Sequence, residues 1–305
     1  MIKSTFKAAF HATGGLAAMR WLKRRRLRIL MYHRFRDRSA IPRQCAHIRA
    51  HYAPVSLTQA ADWLLGGGGW PDNALVVTVD DGYRDFYQVA FPVFREYGIP
   101  ATVYLVSEFL DGRQWLWVDR VRWAHLHTSR PLGSREQRLQ AAFLAIEAAK
   151  QMPNQDRLAW LETLPGELGV PIPEQAPSEY EPMRWEEVRS AAAAGIEFGA
   201  HTRSHPILSR LGGERELSDE IAGSKRRLEE QLDRPVDHFC YPNGSTRDFT
   251  SDAVRVVRSA GFRTATTTEP GVVMPGSDML RLRRIAVDPG DHESYFAECA
   301  AAVRT

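Results

Sequence analysis

Two adjacent carboxylates, Asp80 and Asp81, close an apolar β-branched run, ALVVTV at residues 74–79, and Gly82 follows them at once. Like charges set side by side repel unless a cation divides their work, one carboxylate binding it while the other stays free to take a proton. The segment HTRSH, residues 201–205, supplies two imidazoles at i and i+4, His201 and His205. Asp81, His201 and His205 would give three protein ligands and leave an open position for water, the arrangement of a catalytic rather than a structural zinc. Neither piece decides the matter alone. DDG is also a common turn sequence, and among ten histidines a chance HxxxH pair is unremarkable.

For these groups to meet, the fold must bring distant segments to one edge. Short β-branched or apolar runs at 27–32, 74–79, 101–106, 196–200, 236–241 and 283–287 alternate with helical patterns, which predicts parallel strands joined by crossovers. Ser56 can cap the helix SLTQAADWLL, which the run Gly66 to Gly69 stops; Pro92 can open PVFREY and Gly98 can close it. RWEEVRSAAAAG ends at Gly195, and Leu217, Ile221, Leu228 and Leu232 mark one face of a helix over 214–233. Asp80 and Asp81, His201, His33 and the trio Pro242, Asn243, Gly244 each follow an expected strand. In a parallel α/β barrel that carboxyl edge is where active sites assemble. Residues 112–182 break the rhythm with two helical stretches near 135–150 and 154–164 and a Pro-rich tail, and are expected to be an insertion. The tryptophans of WLWVDRVRW, residues 115–123, could stack on sugar rings, but packing of the insertion against the barrel is the favoured account.

A chain of 305 residues with 44% apolar content suits a single barrel with additions, and no apolar run reaches the length of a membrane span. Cys45, Cys240 and Cys299 are odd in number and show no CxxC spacing, which points to buried free thiols. Charge is uneven: residues 1–36 hold ten Lys and Arg and no acid, leaving 30 basic against 37 acidic residues in the rest. The basic arm, residues 1–26, lacks the continuous apolar segment of a cleavable signal, because His11, Thr13, Gly14 and Gly15 interrupt it. The chain is therefore expected in the cytoplasm or on the inner face of the membrane. Phe6, Phe10, Met19, Trp21 and Leu22 beside KRRR at 23–26 suggest peripheral contact with an anionic membrane through residues 1–28; a solvated helix end is the alternative. No nucleic-acid recognition motif accompanies these charges, so no nucleic-acid partner is expected.

Several of these segments resemble the polysaccharide deacetylases, metal-dependent carbohydrate esterases. TVDDG at 78–82 is similar to that family's TFDDG motif, HTRSH to its H(S/T)xxH motif, and EFGAHTRSHPILSRL to the second motif with its flanks. YGIPATVYLV at 97–106, the EI…SK…LE pattern from Glu220 to Glu229, and FCYPNG at 239–244 add to the likeness, which spans residues 27–110 and 183–288. The resemblance implies an α/β fold, a deformed (β/α) barrel over 27–305 carrying the 112–182 insertion. It also implies removal of acetyl groups from an N-acetylated glycan with a divalent metal, most simply Zn2+. Asp80 would be the general base, and Asp81, His201 and His205 the ligands.

Two positions depart from the family pattern. Cys240 and Asn243 stand where many members have the Arg and Tyr of RxPYG, and LRLRRIAVD lacks the histidine that serves as catalytic acid near the C-terminus. In the branch similar to poly-N-acetylglucosamine deacetylases the motifs are permuted and an N-terminal YH supplies the acid, which selects His33 in Met31-Tyr32-His33. The oxyanion and substrate contact would come from Tyr241, Pro242 and Asn243, chiefly the Asn243 backbone N–H, and Arg284 would orient Asp80 unless it is an ordinary strand-end arginine. The alternatives are a glycoside hydrolase using Asp80 and a second carboxylate, which leaves the histidine pair idle, and a catalytically inactive carbohydrate-binding protein of the same fold.

Overall fold

The computed structural model describes residues 14–304. Its strands are β1 (Arg28–Tyr32), β2 (Ala53–Pro54), β3 (Ala74–Val79), β4 (Ala101–Leu105), β5 (Glu197–Ala200), β6 (His238–Cys240), β7 (Thr264–Pro270) and β8 (Leu282–Ala286), all parallel to their neighbours. Seven of them close a barrel: the order runs β1, β8, β7, β6, β5, β4, β3, and β3 pairs back onto β1 from Arg28↔Leu75 to Tyr32↔Val79. The eighth, β2, lines only the first two residues of β3, and β4 takes over from Val77. The barrel is deformed at two seams. β5 and β6 share the single paired position Ala200↔Phe239, and the register of β7 on β8 slips between Thr266 and Pro270.

Strands β1, β3 and β4 are buried along their whole length, as strands must be when one face fills a barrel and the other lies under helices. Ile29, Val76, Tyr104, Cys240 and Leu282 pack together inside, while Leu30, Val77, Val103, Phe239 and Ile285 join the larger layer beneath the helices. Two strands lay outside the sequence expectation. β7 reads TATTTEP, and its buried Thr264, Thr266 and Thr267 have the β-branched shape of a strand without the apolar signal that marks one. β2 is too short to leave a pattern.

Most expected helices form with the expected ends, but Pro92 does not open one: the helical run starts at Arg84 and passes through a π-helical stretch, Phe86–Ala90, into Phe91–Glu96. Ser56 Oγ accepts from Gln59 N at 3.2 Å, and the Gln59 side chain returns to Ser56 N at 3.0 Å, a capping box whose loss would cost about 1 kcal/mol. Glu214–Leu232 buries Leu217, Ile221 and Leu228, with Leu232 half-buried. Helices Ile41–His51, Ser251–Ser259 and Glu293–Ala300 complete the outer layer.

Between β4 and β5 the insertion folds into helices Trp117–His127, Arg135–Ala149 and Asn154–Leu168, which share an apolar cluster of their own. Trp115 and Trp117 are buried, Trp115 Nε1 donates to Pro173 O at 3.2 Å, and Trp123 stacks on His127. At the amino edge, helix Gly15–Leu22 leaves Trp21 and Leu22 exposed; Phe6 and Phe10 of the arm lie outside the described residues. No helix among the described residues is long and apolar enough to cross a membrane. All three cysteines are buried and free.

Candidate active site

Strand alternation explains why two adjacent aspartates face different surroundings. Val76 and Thr78 point into the barrel, and Asp80 continues that row. On β8 the inward row is Leu282 and Arg284, so the arginine meets the aspartate across the interior. Arg284 Nη1 and Nη2 donate to Asp80 Oδ1 and Oδ2 at 2.6 and 2.7 Å. Its Nη1 also reaches Thr78 Oγ1 at 3.1 Å, its Nε reaches Thr267 O at 2.8 Å, and its Nη2 reaches Cys240 Sγ at 3.1 Å. Burial pushes the Asp80 carboxyl up, but the guanidinium outweighs it and holds the group below the usual carboxylate range; the same pairing raises Arg284. Asp80 is thus kept anionic and oriented.

Asp81 leaves the strand with φ at 75°, which turns its side chain to the rim. Thr202, His205 and Asn243 also have positive φ, at 68°, 58° and 56°, so four non-glycine residues in the left-handed region cluster at this edge. Each carries a cost of about 1–3 kcal/mol that the surroundings must offset. Gly82, at φ 81°, could not be replaced cheaply either, because a Cβ there would lie 2.7 Å from Leu105 Cδ2.

His201 Nδ1 lies 2.7 Å from Cys240 O; donating there, it leaves Nε2 with a lone pair toward Asp81. His201 Nε2 and His205 Nε2 are each 3.5 Å from Asp81 Oδ1. Donors bound tetrahedrally at the usual zinc distances stand roughly 3.3–3.6 Å apart, so Asp81 Oδ1 already keeps ligand spacing from each imidazole, and the three donor atoms all lie within 4.8 Å of one another. Burial, reinforced by the neighbouring His201, pushes His205 down to about 3 and keeps it a neutral imidazole. Burial opposes charge on His201 as well, but Cys240 and Asp81 raise it. A second cluster of potential donors, Asp80, His201 and Cys240, is also compact. There the Arg284 guanidinium already binds both Asp80 oxygens and the thiol sulfur, and a cation would meet its charge. Asp81, His201 and His205 are the set that fits a divalent ion.

A cleft of about 730 Å3 opens over these groups. His33 follows β1 with 47% of its side chain exposed, and its Nε2 lies 3.6 Å from Asp80 Oδ2. Asn243 also lines the cleft; its Nδ2 is buried without an acceptor, and its backbone N–H makes no internal hydrogen bond among the described residues. The outer wall is the insertion, through Leu139, Phe143 and Arg135.

The other two members of the expected oxyanion segment need correction. Tyr241 falls on the outward row of β6 with Phe239, stacks on Phe249 at 4.0 Å and donates to Leu280 O at 3.0 Å. Its ring is a core element and does not line the cleft. Pro242 is buried, and its carbonyl accepts from Gly244 N at 2.6 Å. Sequence reading also missed Cys240 as a neighbour of Asp80, because nothing in the pair Cys240-Tyr241 tells which of the two faces inward.

The described residues of the barrel thus hold an arginine-clamped carboxylate beside a carboxylate-imidazole triad, in a cleft with an exposed histidine. The profile of the polysaccharide deacetylases matches residues 68–265, and the chain belongs to that family. The Bacillus subtilis (strain 168) protein YxkH, whose name places it among polysaccharide deacetylases, is 22% identical over 287 residues, covering 90% of this chain and 77% of that one. The poly-beta-1,6-N-acetyl-D-glucosamine N-deacetylase of Escherichia coli (strain K12) is 38% identical over 74 residues, 24% of this chain and 11% of its own length. The Streptococcus pyogenes deacetylase PplD, solved in complex with acetate, superposes with a TM-score of 0.63 at 16% identity, covering 90% of this chain and 98% of that one. That likeness bears out the barrel.

Proposed function

We propose that this chain hydrolyses the N-acetyl groups of an amino-sugar polymer and releases acetate, using a divalent ion, zinc in the first instance, held by Asp81, His201 and His205. The observation that carries the reading is the division of labour between neighbours: Asp81 lies between two imidazoles, while Asp80 is fixed by Arg284. Membership of the family and the substrate named for the Escherichia coli relative support the substrate class.

Asp81, His201 and His205 would hold the ion, which when bound would lower the pKa of water and polarise the acetyl carbonyl. Asp80, kept ionised, takes the proton of the attacking water. Asn243 lines the cleft, and its unpaired backbone N–H is the candidate donor to the developing oxyanion. His33 then gives a proton to the departing sugar nitrogen, with Asp80 close enough to orient it. Acetate and a free amine leave. The test is acetate release from N-acetylglucosamine oligomers: activity should vanish with chelator and return with zinc, and glycan shortening without acetate would instead indicate a glycoside hydrolase.

We propose as well that the arm contacts anionic membrane. Trp21 and Leu22 are exposed beside the basic run, and the arm enters β1 at the amino edge, so the cleft would face away from the surface. Cosedimentation with anionic but not neutral vesicles is expected; equal recovery with both would refute it.

A further inference from the structure

The first helix of the insertion, Trp117–His127, touches both loops that carry the candidate ligands. Trp117 Nε1 donates to the carbonyl of His205 at 3.1 Å. Two residues on, Asp119 accepts the phenolic O–H of Tyr83, which directly follows Asp80, Asp81 and Gly82. Side chains two apart on a helix point about 200° away from one another, so a single turn can reach a loop on either side. His205 and Asp81, the residues served, both have left-handed backbones, which persist only where the surroundings over-determine them.

Neither contact is loose. Trp117 is 4% exposed, and the guanidinium of the buried Arg157 lies 4.7 Å over its ring, held in turn by Asn154 Oδ1 at 2.6 Å. Ile207, two residues past His205, belongs to the insertion's own apolar cluster. Asp119 is fully buried, with Arg122 on its other oxygen at 2.6 Å, and Arg34 stacks 3.8 Å over the Tyr83 ring. At the far end of the insertion Met183 N donates to Gly82 O and Arg84 N to Glu181 O, both at 2.9 Å.

We infer that this helix is a clamp on the metal centre, with Trp117 and Asp119 as positioning residues that fix the separation of Asp81 from His205. The inference rests on the reading of Asp81, His201 and His205 as ligands. Both imidazole nitrogens approach one carboxylate oxygen at 3.5 Å, a spacing that a drift of either loop would spoil. The insertion thereby becomes part of the metal site and not only a wall of the cleft.

Zinc affinity and zinc release rate of the full chain, measured by chelator competition, test this. Trp117→Phe keeps a ring and removes the N–H, and Tyr83→Phe removes a single oxygen; each should weaken zinc binding about tenfold or more, as loss of an outer-shell partner does. Asp119→Asn leaves one carbonyl oxygen for two donors, Tyr83 and Arg122, and should weaken zinc binding in the same direction. The metal-free variants should still unfold in one cooperative transition, so that zinc binding is read on folded protein. Wild-type affinity and release rate in both Trp117→Phe and Tyr83→Phe would overturn the clamp alone. A wild-type protein that takes up no zinc would overturn the metal reading, and the clamp with it.

Discussion

The barrel holds a buried histidine–carboxylate cluster at each of its edges, and they differ in what is left over. At the amino edge, His238 Nδ1 lies 2.8 Å from Thr264 Oγ1 and its Nε2 3.0 Å from Thr58 Oγ1. Glu197 Oε2 accepts from Leu57 N, Thr58 N and Thr102 Oγ1, which caps the helix Leu57–Gly66. Polar capacity there closes on itself. At the carboxyl edge His205 Nδ1 and Asn243 Nδ2 have no partner, Asp81 is approached by two imidazoles at more than hydrogen-bond length, and the backbone is left-handed at four places. Residue type does not separate structure from function here. Unspent valence does.

The contrast can be broken most sharply by removing a histidine from each cluster. His205→Ala should lose zinc and reduce acetate release beyond the roughly hundredfold that outer-shell changes cost. His238→Ala should keep zinc and turnover while lowering unfolding stability by about 1–3 kcal/mol, because buried partners lose their bonds. Equal effects of the two on zinc content would erase the distinction.

Arg284 is the next lever. Arg284→Met strands a buried carboxylate and should cost about 3–5 kcal/mol, most of it recovered in the Arg284→Met/Asp80→Asn double variant. Denaturant titration of the single and double variants measures the coupling; simple additivity would mean the pair is not interdependent.

Asp119 gives the smallest effect. Burial pushes its carboxyl up to about 6 against the pull of Tyr83 and Arg122, while the unfolded chain titrates near the ordinary value of about 3.9. The folded state therefore holds the proton more tightly, and stability falls as pH rises from about 4 through about 6. Asp119→Asn removes that slope, so its stability relative to wild type should improve by on the order of 2–3 kcal/mol between pH 4 and pH 7. Parallel pH profiles would show that Asp119 is comfortably ionised in the fold.

Much of this was legible before any coordinates, because a parallel barrel gathers whatever follows its strands. Asp80, Asp81, His33, His201 and Asn243 all follow strands and line one cleft. Faces were harder to read than ends. Cys240 and Tyr241 are consecutive, so one must point in and the other out; the sequence offers a sulfur and a phenol with no sign of which is which, and the phenol lies in the core. RLRR poses the same difficulty, resolved by the alternation of exposed Arg283 with buried Leu282 and Arg284. β7 hid because its threonines satisfy a strand by shape and hydrogen bonding without an apolar pattern. Asp119 was overlooked among the tryptophans of its own run, since only the fold places it against Tyr83.

The account turns on the different fates of neighbouring aspartates, and one paired measurement reads it directly: bound zinc and acetate release in Asp80→Asn and Asp81→Asn. Asp80→Asn should retain about one zinc per chain and lose turnover by about a hundredfold or more, the range of an absent general base, whereas Asp81→Asn should lose both. Zinc lost from Asp80→Asn and retained by Asp81→Asn would contradict it.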